Sequence, residues 1–166
     1  MGKMIIGLGG FGLNFLSTQN EQLKNQFALL AISNDSEALE HCKIDNKINI
    51  DGTDFESLEK YLKQVSSVVI LNGLSGNSSK AIAPLITYLK TYNIDVQVVL
   101  TKPFDWEWDP KEREVISKET ITQLESMSVH YKTFDNNELL KMAQGGMGVN
   151  EVFKQMDKQI YEYITQ

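Results

Sequence analysis

Gly7-Leu8-Gly9-Gly10-Phe11-Gly12-Leu13-Asn14 follows the short apolar run Met4-Ile5-Ile6. An apolar run that breaks into glycines and resumes with helical spacing reads as strand, turn and helix. Glycines let the backbone turn tightly and approach a ligand, and a helix start presents unpaired N–H groups to negative charge. The stretch therefore predicts an α/β fold that holds the phosphates of a nucleotide at this turn. Gly7-x-Gly9-x-x-Gly12 also has the glycine spacing of a dinucleotide-binding turn, with Asp35 near the place of the ribose-binding acid. Several nucleotide classes share such a turn, so other segments have to choose among them.

The bulk properties exclude some partners. A chain of 166 residues with 42% apolar content can bury a sizeable single core. A net charge of −6 and a pI near 4.9 argue against a nucleic-acid partner, because that binding rests on basic residues neutralising phosphates. No apolar run approaches the roughly 18 uncharged residues of a membrane helix, so no membrane insertion is expected. Met1-Gly2-Lys3 leads straight into a strand, which argues against a signal peptide. Ile6 stands where a myristoylation motif needs Ser or Thr. The single Cys42 makes no internal disulfide and suits a cytoplasmic protein. With only His41 beside it, Cys42 reads as a buried thiol rather than a nucleophile.

Short β-branched runs and helical segments alternate along the chain. Strands are predicted over Met4–Leu8, Phe27–Ser33, Lys47–Ile50, Ser67–Asn72, Val96–Thr101 and Val129–Phe134. Helices are predicted over Leu13–Gln26, Phe55–Val65, Ser78–Tyr92, Lys111–Met127 and Val149–Ile164. In the last of these, Val149, Val152, Phe153, Met156, Ile160, Tyr163 and Ile164 form one apolar stripe, the pattern of a helix on a core. The alternation implies a three-layer α/β domain: a mostly parallel, Rossmann-like sheet with helices on both faces and ligands beyond the carboxyl ends of the strands. With no repeat and no Pro-, Gly- or Ser-rich linker, residues 1–166 read as a single domain.

Two further segments bear on the ligand. Asn72-Gly73-Leu74-Ser75-Gly76-Asn77-Ser78-Ser79 is a second small-residue turn, and it too leads from a strand into a helix. Two such turns on one sheet edge would grip a phosphate chain from both sides; the plainer reading makes Ser78 an ordinary helix cap. No Gly-Lys-Ser/Thr follows, which excludes a Walker loop. Thr101-Lys102-Pro103-Phe104-Asp105-Trp106-Glu107-Trp108 leaves the fifth strand with aromatics and acids, either over a ligand or as a cap on the core.

This last string resembles the Thr-Lys-Pro-Phe-x-Phe-Glu loop of FtsZ, the bacterial tubulin relative, and other matches fall in the right order. Ile6 to Asn14 resembles the family's first phosphate loop with its terminal Asn. Ile32-Ser33-Asn34-Asp35-Ser36-Glu37-Ala38-Leu39 is similar to the Val-Asn-Thr-Asp-x-x-Ala-Leu stretch, and Gly73-Leu74 through Ala83-Pro84 stands at the tubulin signature. Asn136-Asn137-Glu138-Leu139-Leu140 resembles Asn-Asp-x-Leu-Leu, and Phe153-Lys154-Gln155-Met156-Asp157 resembles Phe-Lys-x-Ala-Asp of the central helix. The resemblance spans nearly all of this chain and the amino-terminal half of an FtsZ. It implies a nucleotide-binding domain that takes GTP or GDP, with Mg2+ accompanying GTP. Partners implied are a guanine nucleotide and either an FtsZ or the chain itself.

By the same resemblance, backbone N–H groups around Gly9, Gly10, Phe11 and Gly12 face phosphate, as do Gly76, Asn77 and Ser78 from the second turn. Asn14 contacts guanine, Phe153 stacks on the base, and Asp157 accepts hydrogen bonds from guanine N1 and N2. A spacing of four puts those last two on one helix face. Glu107 and Arg113 match the Glu and Arg that reach the ribose and phosphates. Three departures stand out. The signature Gly-Gly-Gly-Thr-Gly-Thr-Gly reads Ser75-Gly76-Asn77-Ser78-Ser79-Lys80-Ala81, so side chains are expected where backbone should approach phosphate. Asp51-Gly52-Thr53-Asp54 stands for the loop that senses the γ-phosphate, and its acids would repel phosphate. The chain stops in the central helix, before the catalytic loop and the second domain of the family, so no catalytic residue is assigned.

Weak or partner-dependent hydrolysis is the expectation. A pseudo-GTPase that regulates an FtsZ filament without nucleotide is the alternative, and an NAD-binding enzyme resting on Gly7 to Gly12 and Asp35 is the third. His130, on a strand, reads as structural.

Overall fold

The computed structural model describes residues 2–74, 77–102, 110–142, 146 and 148–166. Successive residues of the first strand face opposite ways: Met4, Ile6 and Leu8 join one apolar cluster and Ile5 joins another. The same alternation separates Val98 and Leu100 from Val99. A strand with apolar residues on both faces needs cover on both, which is why these runs read as nearly continuous rather than alternating.

The strands are β1 (Gly2–Leu8), β2 (Ala28–Ser33), β3 (Lys47–Asn49), β4 (Val65–Gly73), β5 (Asp95–Lys102) and β6 (His130–Asp135). They form one sheet of order β3-β2-β1-β4-β5-β6 with every pairing parallel. All six predicted strands are present. The chain runs outward from β1 to β3, then returns to β4 on the other side of β1, leaving a crevice where the order reverses.

One face is covered by α3 (Ile82–Lys90), through Ile82, Leu85, Ile86 and Leu89, and by α4 (Pro110–Ser126), through Leu124. A 3-10 turn over Glu56–Tyr61 adds Leu58. The other face carries α1 (Gly9–Leu23), α2 (Ser36–His41), α5 (Asn136–Met142) and α6 (Val149–Ile164). Their contributions include Leu13 and Leu16, Leu39, Leu139, and the Val152, Met156 and Ile160 stripe. Burial of each such side chain is worth about 1.5–3 kcal/mol, so the α6 stripe fixes that helix firmly on the sheet.

Four differences from the sequence reading have local causes. The first helix begins at Gly9 rather than Leu13, because Gly9 at φ +79° completes the turn out of β1 in a single residue. The segment expected as a helix over Phe55–Val65 is the short 3-10 turn, followed by Gln64 at φ +67° as the chain enters β4. Ser78–Tyr92 divides into a 3-10 turn over Asn77–Ala81 and then α3. Pro84 sits in the first turn of α3, where its missing N–H forfeits no helical bond. Helices α2 and α5 were not anticipated; each is short and capped by an aspartate. Asp35 accepts from the N–H groups of Glu37 and Ala38, both at 3.1 Å, and Asp135 accepts from that of Asn137 at 2.8 Å.

Candidate functional site

The carboxyl ends of β1, β2 and β3 open on a cleft of about 540 Å³, closed from the β4 side by the second turn. Leu8, Gly9 and Gly10 line it from the first turn, and Ser33 to Asp35 from the second strand. Asp51 to Thr53 line it from the loop after β3, and Ser78 and Lys80 from the second turn. The N-cap residue of α1 makes no side-chain cap bond and the first turn holds no acidic residue, an arrangement that suits an anion at the helix start. Asp35 and Asp51 oppose that field, and Lys80 adds one positive charge among the described lining residues.

Asn72 binds the two turns together. It is fully buried at the end of β4, and its Nδ2 donates to the Leu8 carbonyl at 2.8 Å and to Ser78 Oγ at 3.0 Å. Ser79 Oγ, also fully buried, donates to Asn72 Oδ1 at 2.9 Å and lies 3.3 Å from the Gly73 carbonyl. A Cβ at Gly9 would come within 2.6 Å of Ser78 Oγ, so only glycine lets the turns approach this closely. Ser79 was expected to obstruct phosphate as a replaced signature glycine. Its side chain instead points into the core, where Asn72 takes its proton. Sequence reading missed both residues. The available signal was a polar Asn closing the apolar run Val68-Val69-Ile70-Leu71, since a buried amide needs partners.

The other first-turn residues divide between ligand and core. Gly10 has open space around it. Phe11 is half-buried, with its ring 6.0 Å from that of Phe15. Gly12 is buried; a Cβ there would meet Gly7 backbone at 2.7 Å and the Leu71 carbonyl at 2.8 Å. Gly12 thus serves the close packing of α1 on the sheet. Asn14 is exposed on α1, outside the cleft lining. Asn77 opens the 3-10 turn and Arg113 lies early in α4, their side chains outside the described set; Gly76 and Glu107 lie outside the described residues altogether.

The two residues expected to contact a base, Phe153 and Asp157, lie on α6, outside the cleft lining. Phe153 was expected within the apolar stripe, but the stripe closes over Val152, Met156 and Ile160 and leaves Phe153 39% exposed. One turn on, Asp157 is partly buried, and no described residue donates a hydrogen bond to it. Burial pushes its carboxyl up to about 6, because desolvation disfavours the charge. Helix α5 packs on α6, and Asn136 at its start is buried with Oδ1 unpartnered among the described residues. An aromatic face, a carboxylate without donors and a buried amide suit a planar base with N–H groups on its edge.

Other candidates resolve into structure. Asp35, the acid of the NAD reading, is occupied as the α2 cap. Cys42 is buried and receives a hydrogen bond from Ser17 Oγ at 3.3 Å. His130 Nε2 lies 3.3 Å from the Tyr163 hydroxyl at the amino end of β6, the edge opposite the cleft. Among the described residues, no three His, Cys, Asp or Glu side chains form a metal-binding group, and no helix is long and apolar enough to cross a membrane.

No protein-family model matches the sequence. The chain is 24% identical over 90% of its length to the cell division protein FtsZ of Buchnera aphidicola subsp. Baizongia pistaciae, covering 44% of that protein. It is 25% identical over 92% of its length to FtsZ of Aquifex aeolicus, covering 47% of it. The chain therefore spans less than half the length of these curated relatives. Among solved structures, a W319Y FtsZ of M. jannaschii superposes with a TM-score of 0.79 at 20% identity, over 98% of this chain and 54% of that one. A GTPγS-bound CetZ2 protofilament of Haloferax volcanii gives 0.70 at 15%, over 96% and 57%. A sheet of this order, with glycine and small-residue turns at its carboxyl edge, has the fold of the FtsZ/tubulin nucleotide-binding domain, and its sequence is similar to FtsZ over nine-tenths of the chain.

Proposed function

We propose that this chain is the guanine-nucleotide-binding part of a cytoplasmic FtsZ-like protein of cell division or the bacterial cytoskeleton. GTP or GDP lies with its phosphates at Gly9, Gly10 and Ser78 and its base against Phe153 and Asp157. The observation that carries this reading is Asp157: a partly buried carboxylate, without a described donor, one helical turn from a half-exposed aromatic ring. Guanine offers N1–H and N2–H side by side to such an acceptor, and adenine lacks that pair. The CetZ2 neighbour of this fold is a GTPγS-bound protofilament, which is consistent with a guanine nucleotide as the ligand.

Hydrolysis by the chain itself is slow or depends on a partner, either an FtsZ or a second copy. Phosphoryl transfer is positioning and charge stabilisation at the γ-phosphate, and Asp35 and Asp51 supply the wrong charge there. Mg2+ would arrive with GTP, held mainly by phosphate oxygens and water, as hard cations with few protein ligands are.

Calorimetry with GTP, GDP, ATP and NAD tests the proposal. Micromolar or tighter binding of the two guanine nucleotides, with ATP and NAD silent, is the expected result. Silence from all four at millimolar concentration overturns it in favour of an interaction protein without nucleotide, and a preference for NAD overturns it outright.

A further inference from the structure

We propose that Asn72 is a positioning residue that sets the phosphate end of the site, and that it does so by orienting the Ser78 hydroxyl. The inference rests on the guanine-nucleotide reading and adds a role that neither glycine turn reveals.

The orientation of the Asn72 amide is fixed by chemistry. The Leu8 carbonyl only accepts, so the nitrogen of the amide must face it, and it does at 2.8 Å. The second amide proton goes to Ser78 Oγ at 3.0 Å, and the amide oxygen takes the Ser79 proton at 2.9 Å. Both amide protons and the amide oxygen of Asn72 are engaged, in a place with no access to water. A buried amide engaged at both its nitrogen and its oxygen has one orientation and holds its partners to one geometry.

The consequence falls on Ser78. Its oxygen serves as acceptor to Asn72, and no described acceptor takes its proton. Ser78 lines the cleft, opposite the uncapped start of α1. With the oxygen lone pair engaged from the core side, the hydroxyl is left to donate into the cleft, where phosphate oxygens are the acceptors this site would present. The bond to the Leu8 carbonyl simultaneously ties down the last residue of β1, directly before Gly9 and Gly10. Asn72 therefore holds both phosphate-facing turns without touching the ligand.

Asn72→Asp tests this with little change in shape. The carboxylate accepts from Ser79 but cannot donate to Leu8, and it reverses the bond to Ser78 by drawing that hydroxyl proton back into the core. The affinities of GDP and of guanosine are measured together on the wild type and the variant. The expected result is about a tenfold or greater loss for GDP with guanosine unchanged within about twofold. Equal losses for the two ligands, or unchanged GDP affinity in a folded variant, overturn the positioning role. If Asn72→Asp does not fold, Ser79→Ala removes only the bond that fixes the amide oxygen. It is expected to weaken GDP about threefold, again sparing guanosine, and no change there overturns the role. A wild type that binds neither ligand instead refutes the underlying guanine-nucleotide reading.

Discussion

Beside the two small-residue turns, Asn72 is wholly buried with both its amide nitrogen and its amide oxygen paired; on α6, Asp157 is partly buried with no described donor, and Phe153 stands half-exposed one turn away. One region is closed by its own hydrogen bonds, while the other holds a partly buried carboxylate without a donor among the described residues. The difference teaches where a ligand matters most. Paired polar groups specify a geometry in advance, whereas an unpaired buried acceptor is costly until a donor arrives. Under the proposed function, the Asn72 clasp supplies shape to the phosphate contacts and Asp157 supplies selectivity for the base.

The strongest way to break that comparison is Asp157→Ala. Two hydrogen bonds to a charged acceptor are at stake, so GDP affinity is expected to fall about a hundredfold. Thermal stability of the free protein should hold or rise, since a desolvated charge is removed. A variant that loses stability but keeps its affinity would assign Asp157 to the fold. Next in size is Phe153→Ala, where loss of base stacking predicts about a twentyfold weaker complex, largely restored in Phe153→Tyr. Calorimetry on the two variants distinguishes stacking from a general loosening of α6.

Acidification sharpens the same contrast. The carboxyl of Asp157 lies at about 6 in the fold against 3.8 as its ordinary value, so the folded chain holds this proton more tightly than the unfolded one. Its contribution to stability is therefore fully present below about pH 4 and is lost as pH rises through about 6. Nucleotide binding has the opposite sign, because guanine N–H groups need the ionised acceptor. From pH 5 to pH 7 the GDP affinity is expected to rise about tenfold, with proton release on binding. Asp157→Asn should flatten that profile, and an unchanged slope in this variant would place the titration elsewhere. The smallest effect belongs to the cleft acids: Asp51 is exposed and screened, so Asp51→Asn should improve GTP relative to GDP by only about threefold. A change of equal size for guanosine would show that Asp51 does not face the phosphates.

Legibility in the sequence followed physical locality. The six strands were readable because parallel strands buried on both faces are dense in β-branched and aliphatic residues. Helix α6 was readable because its stripe repeats every three or four residues. Helices α2 and α5 were not, since six or seven residues carry too few periods, and their signal was a single capping aspartate each. Phe153 misled for a related reason: at the margin of an apolar stripe, sequence spacing does not tell a core residue from an exposed one.

The sequence by itself determined the alternating α/β order, the two small-residue turns and the pairing of Phe153 with Asp157 on one helix. Each of these is written in neighbouring residues, through backbone freedom, apolar spacing or helical period. Only the tertiary structure decided that Ser79 turns inward, that Gly12 serves packing, that Phe153 lies outside the core and that Asn72 clasps the two turns. Those outcomes depend on contacts between segments as far apart as Leu8 and Asn72, and on which polar atoms remain unpaired once the core has closed. Burial and hydrogen-bond satisfaction are properties of the assembled fold, which no run of neighbouring residues encodes.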